Sequence, residues 1–314
     1  MVAGELSNDR YRSPFRSWDE RAAVRSAPRR ELPSETEGQH FFSPDLVPLA
    51  RHGRVRNLPP DLFDQLVIQH LYRYLDFTAK LEQFVVNRTA LGIAQGTIGI
   101  LVPAEMRLDA HRIYCDEAYH ALSAAELMHQ VELRTGVRPM LPEVPYFMTR
   151  LAEIQQRMGS SFSALAEIIF VIVSETLISG TLSEIPDDPE VVPTVSEVIR
   201  DHAADEGRHH TYFAHFLKEL WAQSDRSTRR IAGLLAPEMI LAFLRPDVPA
   251  MRAELVGYGF SRDTTEQILA EILPEELIQA TARGAAQQTV RHFARLGVLD
   301  DAETMEAFQK HGLI

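Results

Sequence analysis

Three side chains with metal-binding chemistry interrupt one apolar face of the segment VSEVIRDHAADEGRHHTYFAHFLKELW. Positions three and four residues apart share a face of a helix, and this face is apolar except for His202, Glu206 and His209. Burying a carboxylate and two imidazoles among apolar side chains costs on the order of several kcal/mol unless another group compensates them. A bound metal ion is the simplest compensation, and a hydrogen-bonded Glu–His cluster is the alternative.

A Glu-x-x-His pair, Glu117 and His120, interrupts an apolar stripe of AEMRLDAHRIYCDEAYHALSAAELMHQVELRTG in the same way. Glu126 and His129 form another such pair about half a rotation further around the same helix. The two pairs therefore cannot face the same core. We assign Glu117 and His120 to the buried face, and we assign the other pair to an outer face that contacts solvent or another subunit.

Two further acids each stand alone in an apolar stripe. Glu175 lies within IIFVIVSETLIS and has almost no polar neighbour, so its burial is hard to avoid. Glu82 shares a face with Leu75 and Val85, although a surface position paired with Lys80 would also fit this acid.

Together the stripes give Glu, Glu-x-x-His, Glu and Glu-x-x-His on four helices in chain order. This is the ligand layout of ferritin-like di-iron and di-manganese carboxylate bundles. Carboxylate oxygens bridge and neutralise two divalent ions, and each histidine supplies a terminal nitrogen ligand. Iron and manganese both accept such ligands, so the residue types alone leave the metal open.

The helices that carry these residues are separated by proline and glycine. We predict four long helices between about residues 60 and 222, with Pro103 and Gly136 bounding the second and a loop over 137–146. The third covers roughly 161–185 and the fourth roughly 193–221. Shorter helices follow, and no convincing run of alternating strand residues appears. The predicted fold is an all-α ferritin-like four-helix bundle with extra C-terminal helices.

Composition restricts the remaining choices. The chain has 314 residues, and 32 basic against 44 acidic side chains give a net charge of −12, which disfavours nucleic acid and anionic lipid as partners. No apolar run approaches the roughly 18 residues of a membrane span, and the N-terminus lacks a signal-peptide layout. The single cysteine, Cys115, excludes an internal disulfide. We interpret Cys115 as a small buried side chain and expect a cytoplasmic protein.

Residues 1–57 differ from the rest of the chain because they are rich in Arg, Pro and Ser and lack apolar periodicity. We expect a polar N-terminal arm that is partly disordered, or that orders against the body or a second subunit. Residues 58–314 then form a single all-helical domain.

The sequence resembles the di-iron N-oxygenases typified by p-aminobenzoate N-oxygenase, over roughly residues 60–295. The most specific element is His-x-x-x-Glu-x-x-His, present here within DHAADEGRH, which adds His202 as a seventh ligand. The resemblance maps the other ligands of the family onto Glu82, Glu117, His120, Glu175, Glu206 and His209.

The resemblance implies a di-iron oxygenase that acts on arylamines in antibiotic biosynthesis. In such enzymes the reduced centre binds O2 as a peroxo species and takes an amine through hydroxylamine and nitroso stages towards nitro. It also implies a homodimer, an external electron donor or reductase, and a small-molecule amine that is free or tethered to a carrier protein. Iron is preferred over manganese on the same ground.

Four residues are candidates for the substrate pocket, and ordinary packing or surface charge is the alternative for each. Tyr74 precedes Glu82 by two turns, and Phe77 and Ile185 lie near the same ends of their helices. Arg283, with Arg291 on the last long helix, would supply a cation. A di-iron C-hydroxylase or desaturase, a ferritin-like iron-binding protein and a di-manganese catalase remain alternatives.

Overall fold

The computed structural model describes residues 11–183 and 188–314, and it confirms the all-α prediction. Within those ranges the one extended pairing is an isolated parallel bridge between His40 and Val191. The α-helices are α1 (Trp18–Arg21), α2 (Ala23–Ser26), α3 (Gly53–Arg56), α4 (Pro60–Leu81), α5 (Asn87–Gln95), α6 (Ala104–Thr135), α7 (Tyr146–Met158), α8 (Ser163–Ser183), α9 (Pro193–Gln223), α10 (Arg226–Leu244), α11 (Val248–Gly257), α12 (Arg262–Ile272), α13 (Glu275–Arg295) and α14 (Ala302–Lys310). Short 3-10 turns cover Pro44–Leu46, Pro48–Arg51 and Val298–Asp300.

Four helical columns form the bundle, and they are the four that the sequence predicts. The first column is α4 continued by α5, and it packs along α6. Helix α8 packs along α9, and α6 also contacts α9. Pro103 and Gly136 flank α6 as predicted, and Gly136 adopts a left-handed φ of 72°, which ends the helix at little steric cost.

The first column contains a π-helical turn at Glu82–Val86, between α4 and α5. This turn contacts α6 and carries Glu82 at its first position. One extra residue in the turn shifts the side chains that follow it around the helix axis, and such turns are frequent at functional sites. Apolar periodicity in the sequence did not reveal it.

Helix α7 was missed by the sequence analysis, which placed only a loop before a helix at about residue 161. Pro145 precedes the first residue of α7, a position that favours helix initiation. Phe147, Leu151 and Ile154 are buried along one face of α7, which packs on α8. The extra helix thereby covers the outer face of the most apolar column.

The described part of the N-terminal arm, residues 11–57, lies against the bundle. Its aromatic side chains Phe15, Phe41 and Phe42 are buried. Arg30 forms an ion pair with Asp201 on α9, at 2.7 Å between Nε and Oδ2. The arm therefore shares a hydrophobic core with the bundle.

Two predictions about the outer face of α6 have different outcomes. His129 is exposed and Glu126 lies 3.6 Å from Arg29, so this pair does face away from the bundle core. Cys115 is exposed, and its interpretation as a buried side chain is wrong. It lies two positions before the buried Glu117, which turns it to the outside of the helix.

The C-terminal helices add further cover to α8. Helices α10 and α13 pack on α8, and Thr289 of α13 donates a hydrogen bond to the Thr176 carbonyl at 3.2 Å. No helix among the described residues is long and apolar enough to cross a membrane.

Candidate metal centre

The bundle gathers the seven side chains that the sequence analysis named as ligands. Each is buried, with at most 7% of its surface exposed. They form two adjacent groups in which one ligand atom from each member lies within 4.8 Å of the others. The first group is Glu82, His120, His202 and Glu206, and the second is Glu117, Glu175 and His209.

In the first group, His202 points Nε2 at two carboxylates. It lies 3.1 Å from Glu82 Oε1 and 3.0 Å from Glu206 Oε1. The His120 ring stacks on the His202 ring with centroids 4.2 Å apart, and its Nδ1 lies 3.8 Å from Glu206. His202, the additional histidine of the His-x-x-x-Glu-x-x-His motif, thus belongs to the same group as Glu82.

In the second group, His209 points Nδ1 at three carboxylates. The distances are 3.1 Å to Glu117 Oε1, 3.2 Å to Glu206 Oε1 and 3.7 Å to Glu175 Oε2. Glu117 also meets His120 through its other oxygen, at 3.2 Å from Nδ1. Glu117 and Glu206 therefore contact imidazoles of both groups, as carboxylates between two ions would.

Two aspartates lie behind the histidines and were missed by the sequence analysis. Asp205 Oδ2 is 2.9 Å from His120 Nε2, and Asp116 Oδ2 is 3.2 Å from His209 Nε2. A carboxylate on the second nitrogen fixes the orientation of a metal-binding imidazole and raises its basicity. A signal was present, because both motifs read Asp-Glu-x-x-His, at residues 116–120 and 205–209. The partners cross over, so that each aspartate holds the histidine of the opposite helix.

In the metal-free site, the shifted pKa values of four cluster residues show that the site favours bound positive charge. Burial and neighbouring carboxylates raise the pKa of Glu82 and of Glu175 well above the ordinary value. Burial opposes protonation of His120 and His209, but the surrounding carboxylates outweigh it and raise the pKa of both imidazoles. Protons on these groups occupy the place of cations, so metal binding releases protons and tightens as the pH rises.

Of the remaining cluster residues, Glu117 and Glu206 are ionised carboxylates and His202 is a neutral imidazole. Burial opposes ionisation of Glu117 and Glu206, yet the charge of His209 and hydrogen bonds from the imidazoles lower the pKa of both carboxyls. Burial and the charge of His120 lower the pKa of His202, which favours a neutral imidazole that is ready to ligate.

The donor set fits two divalent ions. Glu82 Oε2 and Glu175 Oε2 are buried and have no hydrogen-bond partner among the described residues. Glu82 Oε1 and Glu117 Oε1 each face an imidazole nitrogen at 3.1 Å. Buried carboxylate oxygens without donors are costly unless a cation lies among them. Four carboxylates and three imidazoles satisfy the preference of iron and manganese for oxygen and imidazole ligands.

A cavity of about 300 Å³ reaches the cluster at His120 and His202. Tyr74, which the sequence analysis placed in a substrate channel, lines this cavity beside Leu75 and Thr78. The Tyr74 hydroxyl is buried and has no hydrogen-bond partner among the described residues. The N-terminal arm completes the wall of the cavity.

The other pocket candidates lie elsewhere. Phe77 packs edge-on against Phe147, with ring centroids 4.7 Å apart, and it lines a separate cavity of about 230 Å³. Arg283 is exposed and donates a hydrogen bond to the Gly312 carbonyl at 2.7 Å, and it does not line the cavity at the cluster. Arg291 is exposed as well. Ile185 lies outside the described residues.

A helical bundle that buries this cluster belongs to the ferritin-like di-metal carboxylate class. Within that class, the chain belongs to the family of p-aminobenzoate N-oxygenase AurF, whose model matches residues 8–297. It is therefore an oxygenase. The chain is also similar to 4-aminobenzoate N-oxygenase of Streptomyces thioluteus, with 24% identity over 301 residues that cover 91% of this chain and 85% of the relative.

Proposed function

We propose that the chain is a non-haem di-iron oxygenase that transfers oxygen from O2 to the nitrogen of a small arylamine. The observation that carries the proposal is the cavity that opens onto His120 and His202, the two stacked imidazoles of the first group. A volume of about 300 Å³ is at the lower end for small-molecule pockets and suits a single substituted ring. The 4-aminobenzoate N-oxygenase relative supports this substrate class.

The two iron ions would supply O2 activation. The first oxygen transfer, from amine to hydroxylamine, uses one O2, two electrons and two protons, and the second oxygen atom leaves as water. An external donor or reductase must deliver those electrons. The residues of this chain hold the ions and direct the amine towards them, because Leu75, Val198 and Ile199 give the cavity an apolar wall beside His202.

The charge of the cavity favours a neutral ring substituent. Arg29 and Arg30 line the cavity, but both are already paired. Arg29 lies 3.6 Å from Glu126, and Arg30 holds Asp201 through two hydrogen bonds. A substrate carboxylate would have to compete with these acids, so we expect an arylamine whose ring carries an uncharged group.

The test uses protein loaded with Fe²⁺ without air, given a chemical reductant and then ¹⁸O₂. Substrates are 4-aminobenzamide and its charged counterpart 4-aminobenzoate, and mass spectrometry identifies the products. We expect ¹⁸O on nitrogen in hydroxylamine, nitroso and nitro products, with the amide converted at least about 10-fold faster because its group costs less to bury. The control is protein loaded with Zn²⁺, which has no redox chemistry.

Other outcomes of that assay select the alternatives. Oxygen on carbon, or loss of hydrogen without oxygen transfer, would replace N-oxygenation by C-hydroxylation or desaturation. Iron uptake without any product across an arylamine panel would indicate iron binding alone. Rapid decomposition of added peroxide by the Mn²⁺-loaded protein would indicate a catalase.

We also propose a homodimer formed through the outer face of α6. Leu108, Cys115 and Leu122 recur at seven-residue intervals, and all three are exposed. The small exposed residues Ala118 and Ala125 lie beside them, which allows close helix packing.

Leu108→Glu is expected to give a monomer in multi-angle light scattering, whereas the control Leu277→Glu, at an exposed site on α13, keeps the dimer. A monomeric parent protein would contradict the proposal.

A further inference from the structure

The N-terminal arm reaches the metal centre from outside the bundle. From the contacts described below, we propose that Trp18 and the backbone amide of Ala23 are positioning groups of the metal centre. They orient Asp116 and Asp205, which in turn orient His209 and His120. Docking of the arm and binding of metal then stabilise each other. This inference rests on metal binding at the cluster and is independent of which substrate is oxidised.

The first chain of contacts ends at His209. The indole nitrogen of Trp18 donates a hydrogen bond to Asp116 Oδ1 at 2.8 Å. The other oxygen of Asp116 lies 3.2 Å from His209 Nε2, and His209 Nδ1 faces the carboxylates. Phe15 stacks on the His209 ring, with centroids 5.9 Å apart and planes inclined by 25°. The arm therefore fixes both the edge and the face of this imidazole.

The second chain of contacts ends at His120. The amide of Ala23 donates to Asp205, at 3.1 Å from Oδ2 and 3.3 Å from Oδ1. Asp205 Oδ2 in turn lies 2.9 Å from His120 Nε2. Arg208 contacts the same carboxylate from within α9. Both aspartates that hold ligand histidines thus receive a hydrogen bond from the arm.

The arm depends on the bundle for its own order. Helices α1 and α2 have 4 residues each, far too few to be stable alone. The arm is anchored by polar contacts with the bundle: Tyr11 donates to Asp109 at 2.7 Å, and Arg30 pairs with Asp201. Because one set of hydrogen bonds joins arm, aspartates and histidines, the coupling is reciprocal: a docked arm favours metal, and bound metal favours docking.

The chain offers a matched pair of variants, because it has two tryptophans. Trp18→Phe keeps the ring and removes the N–H donor. Trp221→Phe makes the same change at a site where the ring contacts the Arg229 guanidinium. Each metal-free protein is titrated with Co²⁺, and visible absorption measures how much Co²⁺ is bound. We expect Trp18→Phe to lower the Co²⁺ affinity of one of the two sites about 10–100-fold and to leave the affinity of the other site unchanged. We expect Trp221→Phe to bind Co²⁺ like the parent protein.

Loss of Co²⁺ affinity at only one site would indicate that Trp18 acts by positioning. Equal loss at both sites would indicate general destabilisation of the protein and would overturn the inference. Parent-like affinity at both sites in Trp18→Phe would also overturn it, while leaving the proposed function intact. A parent protein that binds no Co²⁺ at the cluster would overturn both.

A second measurement keeps the test independent of whether Trp18→Phe folds. Arg21 and Arg25 are exposed trypsin sites within the arm. In the otherwise native Trp221→Phe chain, we expect Co²⁺ to slow cleavage at these sites about 10-fold or more, because metal stabilises the docked arm. Equal cleavage rates with and without Co²⁺ would mean that the arm and the metal centre are not coupled.

Discussion

Glu175→Ala is expected to abolish binding of one of the two metal ions while the other stays bound. The second group would retain only Glu117 and His209, and Glu117 also contacts His120 of the first group. We expect the affinity of that position to fall by more than about 100-fold, beyond the loss caused by changing a residue behind a ligand. Elemental analysis should therefore find half of the parent iron content per chain.

The metal-free protein should tolerate the same change. Burial raises the pKa of the Glu175 carboxyl, so the parent chain carries a buried acid without benefit until metal arrives. Thermal unfolding of metal-free Glu175→Ala should occur at or above the temperature of the metal-free parent. Glu167→Ala is the control on the same helix, because that carboxylate pairs with the exposed Arg88. Full iron occupancy in Glu175→Ala would show that this acid is not a ligand.

His202→Ala is expected to leave the bundle folded and the second group loaded, yet to suppress oxygen transfer by about 100-fold or more. His202 Nε2 lies 3.1 Å from Glu82 and 3.0 Å from Glu206 of the first group, and His202 lines the cavity beside His120. Its loss would leave an ion held by the first group with one ligand fewer, beside the cavity. We therefore expect either no product or a changed product in the ¹⁸O₂ assay.

The matched control is His210→Ala on the same helix. The His210 ring lies outside the cluster and meets His292, with Nε2 atoms 3.2 Å apart. This variant should retain parent iron content and turnover. Parent-like turnover in His202→Ala would remove the argument for a seventh ligand.

The positions of the seven cluster residues were predictable because two simple physical rules act together. Helical periodicity assigns Glu117 and Glu175 to apolar faces, and the cost of burying their charge requires a compensating group. The bundle does bring these side chains together. Their role as ligands stays a prediction until metal is measured.

Contacts between distant parts of the chain were not predictable in this way. Helical periodicity within α6 gives no information about the partners of Asp116, because Trp18 and His209 lie 98 and 93 residues away in the sequence. Periodicity within α6 shows which side of the helix is buried and not what packs there. The sequence analysis therefore left open whether the arm is partly disordered or orders against the body or a second subunit, and it missed the two aspartates that connect the arm to the cluster.

The positions of two pocket candidates relative to the cavity at the cluster were unpredictable for the same reason. Phe77 was a pocket candidate because it and Ile185 lie near the same ends of their helices, and its ring packs in an aromatic cluster with Phe147 and Phe243. Arg283 has the right charge for a substrate carboxylate, yet it lies on the outer side of α13 beside Gly312. Tertiary packing sets where each side chain lies relative to the cavity, and helical periodicity does not reveal that packing.

The central claim, two metal ions held by the seven cluster residues, is tested most directly by diffraction from crystals of the protein loaded with Fe²⁺. Anomalous differences recorded at the iron absorption edge locate the ions without assumptions about ligands. We predict two peaks, one among Glu82, His120, His202 and Glu206 and one among Glu117, Glu175 and His209. A single peak, or iron located only outside this cluster, would contradict the account.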